Sequence, residues 1–246
     1  MLNGLYCSGT AMEAAARQHD VIAQNLANSQ VPGYRRQLIR HGSFESQFDD
    51  ELKSAIGRQS MGTHSGDVVT DFSQGILEQT GAPLDVALQG GGFFVIEGPQ
   101  GPLYTRNGAF VVNSDGRLVT HDNLPVQGNG GDIMIPDGVS PTSVQITEDG
   151  RLLADGEEIG QLDLVDFNDR QQLRQVGTTV FQASDEAVTT TAEGRLVQGF
   201  RERSNVSPIQ ELVDLIAAQR RQEAAQKSMT LLSEAVGKHI SNQGGI

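Results

Sequence analysis

Apolar residues recur every three to four positions at both ends of the chain and every two positions between them. Few folds accommodate that change of period. It predicts a helix at each terminus and a run of strands whose pairing is completed between them.

The C-terminal helix carries the strongest local signal. Ser207-Pro208-Ile209-Gln210 combines an N-cap, a proline at the first helical position and a glutamine two residues later. Leu215, Ala218, Gln222, Ala225, Met229, Leu232 and Val236 then alternate in steps of 3 and 4. Leu212 and Ile216 widen the stripe early on. The helix is predicted to reach about Ile240, ahead of Gly244-Gly245, as a rod roughly 50 Å long. At the other end, Thr10-Ala11-Met12-Glu13 has the spacing of a capping box and predicts a helix over 10–29, with an earlier start also open. Its seam is Met12, Ala15, His19, Ile22 and Leu26. Narrow seams suit helix–helix packing, and the alanines around them permit close approach. The stop is written NLANSQVPGYRR, residues 25–36. Asn25 and Asn28 are placed to satisfy groups at the helix end, after Leu26 and beside Ala27. Pro32 biases Val31 out of the helical region, and Gly33 and Tyr34 turn the chain away.

Residues 34–70 are mixed. Phe44, Phe48 and Leu52 step by four, which fits a short helix or a loosely extended arm. Arg35, Arg36 and Arg40 form a small basic cluster near Asp49, Asp50 and Glu51. That company suits ion pairing within protein better than lipid or nucleic acid.

From 71 to 205 short runs such as LDVAL (84–88), FFVIE (93–97), VQIT (144–147), LDLVDF (162–167) and RLVQGF (195–200) alternate with turn residues, an all-β signature. One unit recurs as NSDGRLVT (113–120), TEDGRLLA (147–154) and TAEGRLVQ (191–198). An acid and a glycine between strand-like runs predict a hairpin each time. Gly90-Gly91-Gly92 has no following Lys-Ser/Thr and reads as a tight bend before a strand, not a phosphate cradle.

Charge separates the segments. The net charge is −13, and residues 61–206 hold eight Lys/Arg against twenty-one Asp/Glu, the whole of the excess. An acidic middle is poorly suited to phosphate backbones, so no nucleic-acid partner is expected. The neutral ends lack that self-repulsion. Cys7 is the single cysteine, which leaves no intrachain disulfide and no cysteine zinc pattern. No apolar run is long enough to span a bilayer, and the N-terminus lacks the basic and apolar regions of a signal peptide. None of the five histidines has metal-ligand spacing, and no GxSxG elbow occurs. No enzyme activity, metal or cofactor is expected.

The fold class that follows is α+β, mainly β: a central all-β domain of hairpins flanked by N- and C-terminal helices that pair as a coiled coil. The divisions are 1–33 (helix), 34–70 (arm), 71–205 (β-rich) and 206–246 (helix). The helices could pack on the β domain of a monomer, or pair with each other and with helices of other subunits. Pattern alone leaves both open. A soluble β-domain ligand-binding protein or enzyme with helical flanks is the alternative function, and a discrete coiled-coil oligomer is a third.

Three stretches also resemble the axial proteins of the bacterial flagellum, specifically the basal-body rod proteins. DVIAQNLANSQVPGYRR (20–36) is similar to that family's N-terminal signature. DFSQGILEQTGAPLDVALQGGGFFVI (71–96), YTRNGAFVVNSDGRLVT (104–120) and LPVQG (124–128) are similar to its central block. GFRERSNVSPIQELVDLIAAQRRQEAAQKSM (199–229) is similar to its C-terminal signature. Tyr34 stands where the family more often has Phe, and Arg221 where an aliphatic or aromatic residue is commoner. The resemblance implies a structural subunit, exported without a cleaved signal peptide by the flagellar type III apparatus into the periplasm-spanning rod. Its partners would be other rod and hook-basal-body proteins and copies of itself, with no membrane insertion. It implies that the helix seams are the inner-core assembly interface and that the ends order on assembly. The length suits the proximal-rod type.

Overall fold

A computed structural model of the protein describes residues 2–43, 63–136 and 138–243. Two long helices enclose, in sequence, a large region made mostly of strands: α1, Leu2–Ala27, and α2, Pro208–Gln243. The chain divides into two compact units.

The first unit contains Met1–Ala27, Gln37–Thr70 and Ser207–Ile246. In it α1 and α2 pack against one another, and Arg221 Nη1 donates to Gln18 Oε1 across the pair at 2.7 Å. Strands Gln37–Ser43 and Thr63–Thr70 pair antiparallel beside α1, with a register shift between Ile39 and His41. The described part of the arm is therefore strand; Phe44, Phe48 and Leu52 lie outside the described residues. The Thr10 capping box does not begin a helix. Thr10 sits eight residues inside α1, where its hydroxyl donates back to the Cys7 carbonyl at 3.1 Å, and Glu13 pairs with Arg17 at 3.0 Å. A threonine inside a helix bonds back one turn as readily as it caps, so the motif alone does not locate a start. At α2 the sequence signal and the observed start coincide. Pro208 is the first helical residue, and the Glu211 N–H donates to the Ser207 carbonyl at 3.0 Å.

The second unit contains Asn28–Arg36 and Asp71–Val206. Its centre is a six-stranded antiparallel sheet. The spatial order is Leu173–Gln175, Val180–Ala183, Gly101–Thr105, Phe93–Gly98, Leu164–Phe167 and Thr189–Thr191. FFVIE lies at the middle of this sheet and is buried on both faces. Phe94 and Ile96 enter the main core with Val86, Leu88, Leu118, Leu152 and Leu196. Phe93 and Val95 point the other way, into a smaller aromatic cluster with Tyr104, Phe167, Leu173 and Phe181. Apolar residues at successive positions, as from Phe93 to Ile96, are what a strand covered on both sides requires.

Two of the three repeated acid–glycine units are hairpin turns. Gly116 and Gly150 have φ of 76° and 86°, and their N–H groups donate to the Asn113 and Thr147 carbonyls at 3.1 and 3.0 Å. The third is not a hairpin. Thr189–Thr191 joins the six-stranded sheet, whereas Arg195–Gln198 pairs with Val86–Gln89. Gly194 is there for close approach instead: a Cβ on it would stand 2.5 Å from the Gly91 carbonyl oxygen. The Gly90-Gly91-Gly92 run is the bend between Val86–Gln89 and Phe93–Gly98, with positive φ at Gly90 and Gly92. The ends of the unit also close on each other. Leu77–Gln79 pairs with Phe200–Glu202, and Val86–Gln89 with Arg195–Gln198.

Candidate functional site: the closure of the β unit

The chain passes between the two units after residues 27, 36, 70 and 206. Among the described residues, the buried polar groups Ser29, Arg35, Glu202 and Ser204 of the β unit lie on the segments next to those crossings, 28–36 and 199–206. Helix α1 stops at Ala27, ahead of Pro32. Its last turn relaxes through Val31 N–H donating to the Asn28 carbonyl at 3.0 Å and Tyr34 N–H to the Val31 carbonyl at 3.3 Å. Gly33, expected to complete the helix stop, also ties this segment to the far side of the β unit. Its φ is +73°, and its N–H donates to the Glu202 carbonyl at 2.8 Å. A Cβ there would stand 2.5 Å from the Asn107 nitrogen. Gly33→Ala is expected to lower the stability of the β unit by about 2 kcal/mol or more, because strain and backbone overlap coincide. Chemical denaturation followed by circular dichroism checks this; an unchanged midpoint would show that the segment shifts freely.

Tyr34 and Arg35 are fully buried. Arg35 Nη2 donates to Glu202 Oε1 at 2.6 Å, across 167 residues of sequence. The same oxygen accepts from the Gly75 N–H at 2.8 Å. Arg106 Nη1 stands 3.6 Å from Glu202 Oε2, with its guanidinium carbon 5.1 Å from the centre of the Phe93 ring. One buried carboxylate therefore faces two buried guanidinium groups. Burial pulls the Arg106 pKa down to about 10, against the opposing pull of Glu202. Asp166 is shifted by its own neighbours: burial raises it, but hydrogen bonds from Arg170 and from the Phe167 N–H leave it below the usual carboxylate range.

Asn205 is the second tie. Its Oδ1 accepts from the Arg36 N–H at 2.7 Å, and its Nδ2 donates to the Asp71 carbonyl at 2.8 Å and the Ser73 carbonyl at 3.1 Å. A single amide thus joins the segment after α1, the start of the strand region and the segment before α2. Within the helical unit Asn25 acts similarly. Buried in the last turns of α1, it accepts from the Gln37 N–H at 2.9 Å and donates to the Gln37 carbonyl at 2.8 Å, as a neighbouring strand would.

The arginine cluster seen in the sequence is split by the fold. Arg35 and Arg36 belong to the β unit and Arg40 to the helical unit. Arg35 finds its acid in Glu202; Asp49, Asp50 and Glu51 lie outside the described residues.

On the helix seams, Ala15, Ile22 and Ala218 are buried, while Met12, His19, Leu26, Leu215, Gln222, Ala225 and Leu232 are partly buried. Met229 is more exposed, and the side chain of Val236 lies outside the described residues. Leu212 and Ile216 do not widen the seam. Both are exposed. Among the described residues no helix is long and apolar enough to cross a membrane, and no group of three or more His, Cys, Asp and Glu could hold a metal ion.

Comparison with known proteins covers the same segments. The model of a family described as flagella basal body rod protein matches residues 5–35, which hold most of α1 and the turn through Arg35. The flagellar basal body rod FlgEFG protein C-terminal model matches 197–240, which holds Glu202, Asn205 and most of α2. The flagellar hook protein FlgE/F/G D1 domain model matches 87–154 in the β unit. The chain is 32% identical to the flagellar basal-body rod protein FlgG of Buchnera aphidicola subsp. Acyrthosiphon pisum (strain APS), over 97% of this chain and 98% of that one. It is 31% identical to FlgG of Bacillus subtilis (strain 168), over 98% and 99%. It is 34% identical to the flagellar basal-body rod protein FlgF of Salmonella typhimurium (strain LT2), over 93% and 94%.

Proposed function

The chain belongs to the flagellar basal-body rod protein family, whose members are structural subunits of the flagellar basal body and not enzymes, and from that premise we propose how it builds a rod. Subunits leave the cytoplasm through the flagellar type III export apparatus as unfolded chains. The seams Met12, Ala15, His19, Ile22, Leu26 on α1 and Leu215, Ala218, Gln222, Ala225, Met229, Leu232, Val236 on α2 then pair as a coiled coil. They do so within a subunit and with helices of neighbouring rod and hook-basal-body proteins, as the inner core of the rod. The β unit forms the outer layer. Contacts run from subunit to subunit without closing, which generates a helical shaft. A proximal place in the periplasm-spanning rod, which a length of 246 residues suits, completes the reading.

One observation carries it. Helices from opposite ends of the chain fall in one compact unit, while the acidic strand region and its buried closure form another. The seams are narrow and rich in alanine, so the pair gains much of its burial only when neighbours arrive. In dilute monomer, amides of 2–27 and 208–243 are expected to exchange hydrogen quickly while those of 86–198 stay protected. Protection along both helices in the monomer would favour a self-contained globular protein and remove the folding-on-assembly step.

A further inference from the structure

Helix α2 presents an apolar stripe that is exposed among the described residues. Ile209 is 77% exposed, Leu212 48%, Val213 56% and Ile216 52%. The positions 209, 213, 216 and 220 follow one line of the helix, roughly opposite the line through Glu211, Leu215, Ala218 and Gln222. That line ends in the exposed side chain of Arg220. Farther along, α1 and α2 leave an open groove of about 570 Å³, lined by Met12, Gln226, Met229, Thr230, Ser233 and Glu234. Its apolar wall is two methionines, whose unbranched side chains repack around a guest. Among the described residues its lining carries the exposed carboxylate of Glu234 and no cation.

The centres of stripe and groove are about 26 Å apart along the same helix. If the stripe of one copy fills the groove of the next, a free stripe and a free groove remain at the two ends. A contact of that kind does not close and builds an open helix. Four side chains also bury far less than the roughly 800 Å² per partner expected of a stable free dimer. The patch fits a subunit held by several neighbours at once. The charges are complementary, with the cation Arg220 at the end of the stripe and the anion Glu234 in the groove.

We propose, resting on the rod-subunit reading above, that Ile209, Leu212, Val213 and Ile216 of one copy enter the Met12–Met229 groove of a second copy, with Arg220 facing Glu234. The test uses the full chain in cells that lack the native one, in a Cys7→Ser background. With Ile216→Cys and Met229→Cys together, oxidation of purified basal bodies by copper phenanthroline yields a ladder of dimers and larger species made only of this chain. Either cysteine alone yields monomer. Monomer from the double variant, or dimer from a single one, overturns the contact. Separately, Arg220→Glu or Glu234→Arg alone lowers the yield of rods about tenfold. Co-expression of the two restores it, because each variant supplies the charge the other lacks. A mixture as defective as either variant overturns the pairing. Absence of the chain from basal bodies would sink the rod reading itself; its presence without cross-links would sink this contact alone.

Discussion

Replacing Glu202 with alanine is expected to destabilise the β unit by about 3–5 kcal/mol, because it strands two buried guanidinium groups at once. Among the described residues Arg35 and Arg106 have no other carboxylate so near: Glu202 Oε1 is 2.6 Å from Arg35 Nη2, and Oε2 is 3.6 Å from Arg106 Nη1. The Gly75 N–H loses its acceptor as well. Arg106→Met should behave very differently. It leaves Arg35 and Glu202 as a neutral pair and removes a guanidinium whose Nε and Nη1 have no hydrogen-bond partner among the described residues. Its cost is expected to be about 1 kcal/mol or less, of either sign. The sign with pH follows from the lowered pKa. The folded Arg106 releases its proton near pH 10, below the value of the unfolded chain. Above pH 10 the unfolded state therefore holds more protons, and this group's contribution to stability rises with pH. Urea unfolding followed by the β circular dichroism signal, compared between wild type and Arg106→Met from pH 9 to 11, reads that increment. Equal costs for Glu202→Ala and Arg106→Met would show that the cluster is held by packing and not by charge.

The sequence made the helices and the central strands legible because each has a local cause. Ser207-Pro208 begins α2 wherever the rest of the chain lies, and FFVIE is apolar at nearly every position because both of its faces are covered. Several strands had no such cause. Glu157–Gln161 is polar and exposed or only partly buried, and Thr189–Thr191 is an edge strand of exposed threonines. Gly101–Thr105 and Val180–Ala183 are too short to establish a period, although they pair next to each other inside the main sheet. The third acid–glycine unit shares its letters with the first two and differs in fold, since its flanking strands go to different sheets. The candidate site was half visible. Asn25 and Gly33 stood out as punctuation, but the part each plays depends on Gln37, Glu202 and Asn107. A pair such as Arg35 and Glu202, 167 residues apart, leaves no periodicity to read. The only signal that bears on it is that two separate motifs, VPGYRR and GFRERSNV, flank the strand region on either side.

Phe93→Ala and Phe94→Ala are each expected to cost about 3–5 kcal/mol, as full truncations of buried rings. The leucine variants separate the two neighbours. Phe94 points into the main core, where its ring meets Phe110 edge-on with centres 5.2 Å apart, and leucine replaces most of that burial. Phe93 points to the other face. Its ring meets Phe72, Phe167 and Phe181 edge-on, with centres 5.7, 6.0 and 6.1 Å away, and its face receives the guanidinium of Arg106. Leucine keeps the area but abolishes every one of those ring contacts. Phe93→Leu is therefore expected to cost about 1 kcal/mol more than Phe94→Leu. It should also couple to the closure of the unit, because Arg106 touches both Phe93 and Glu202. In double-mutant cycles by urea unfolding, Phe93→Leu with Glu202→Gln should depart from additivity by about 0.5 kcal/mol or more, while Phe94→Leu with Glu202→Gln should add. Additivity in both cycles would mean that the aromatic face and the buried charges are independent. A shared departure in both would mean that the whole sheet, and not Arg106, carries the coupling.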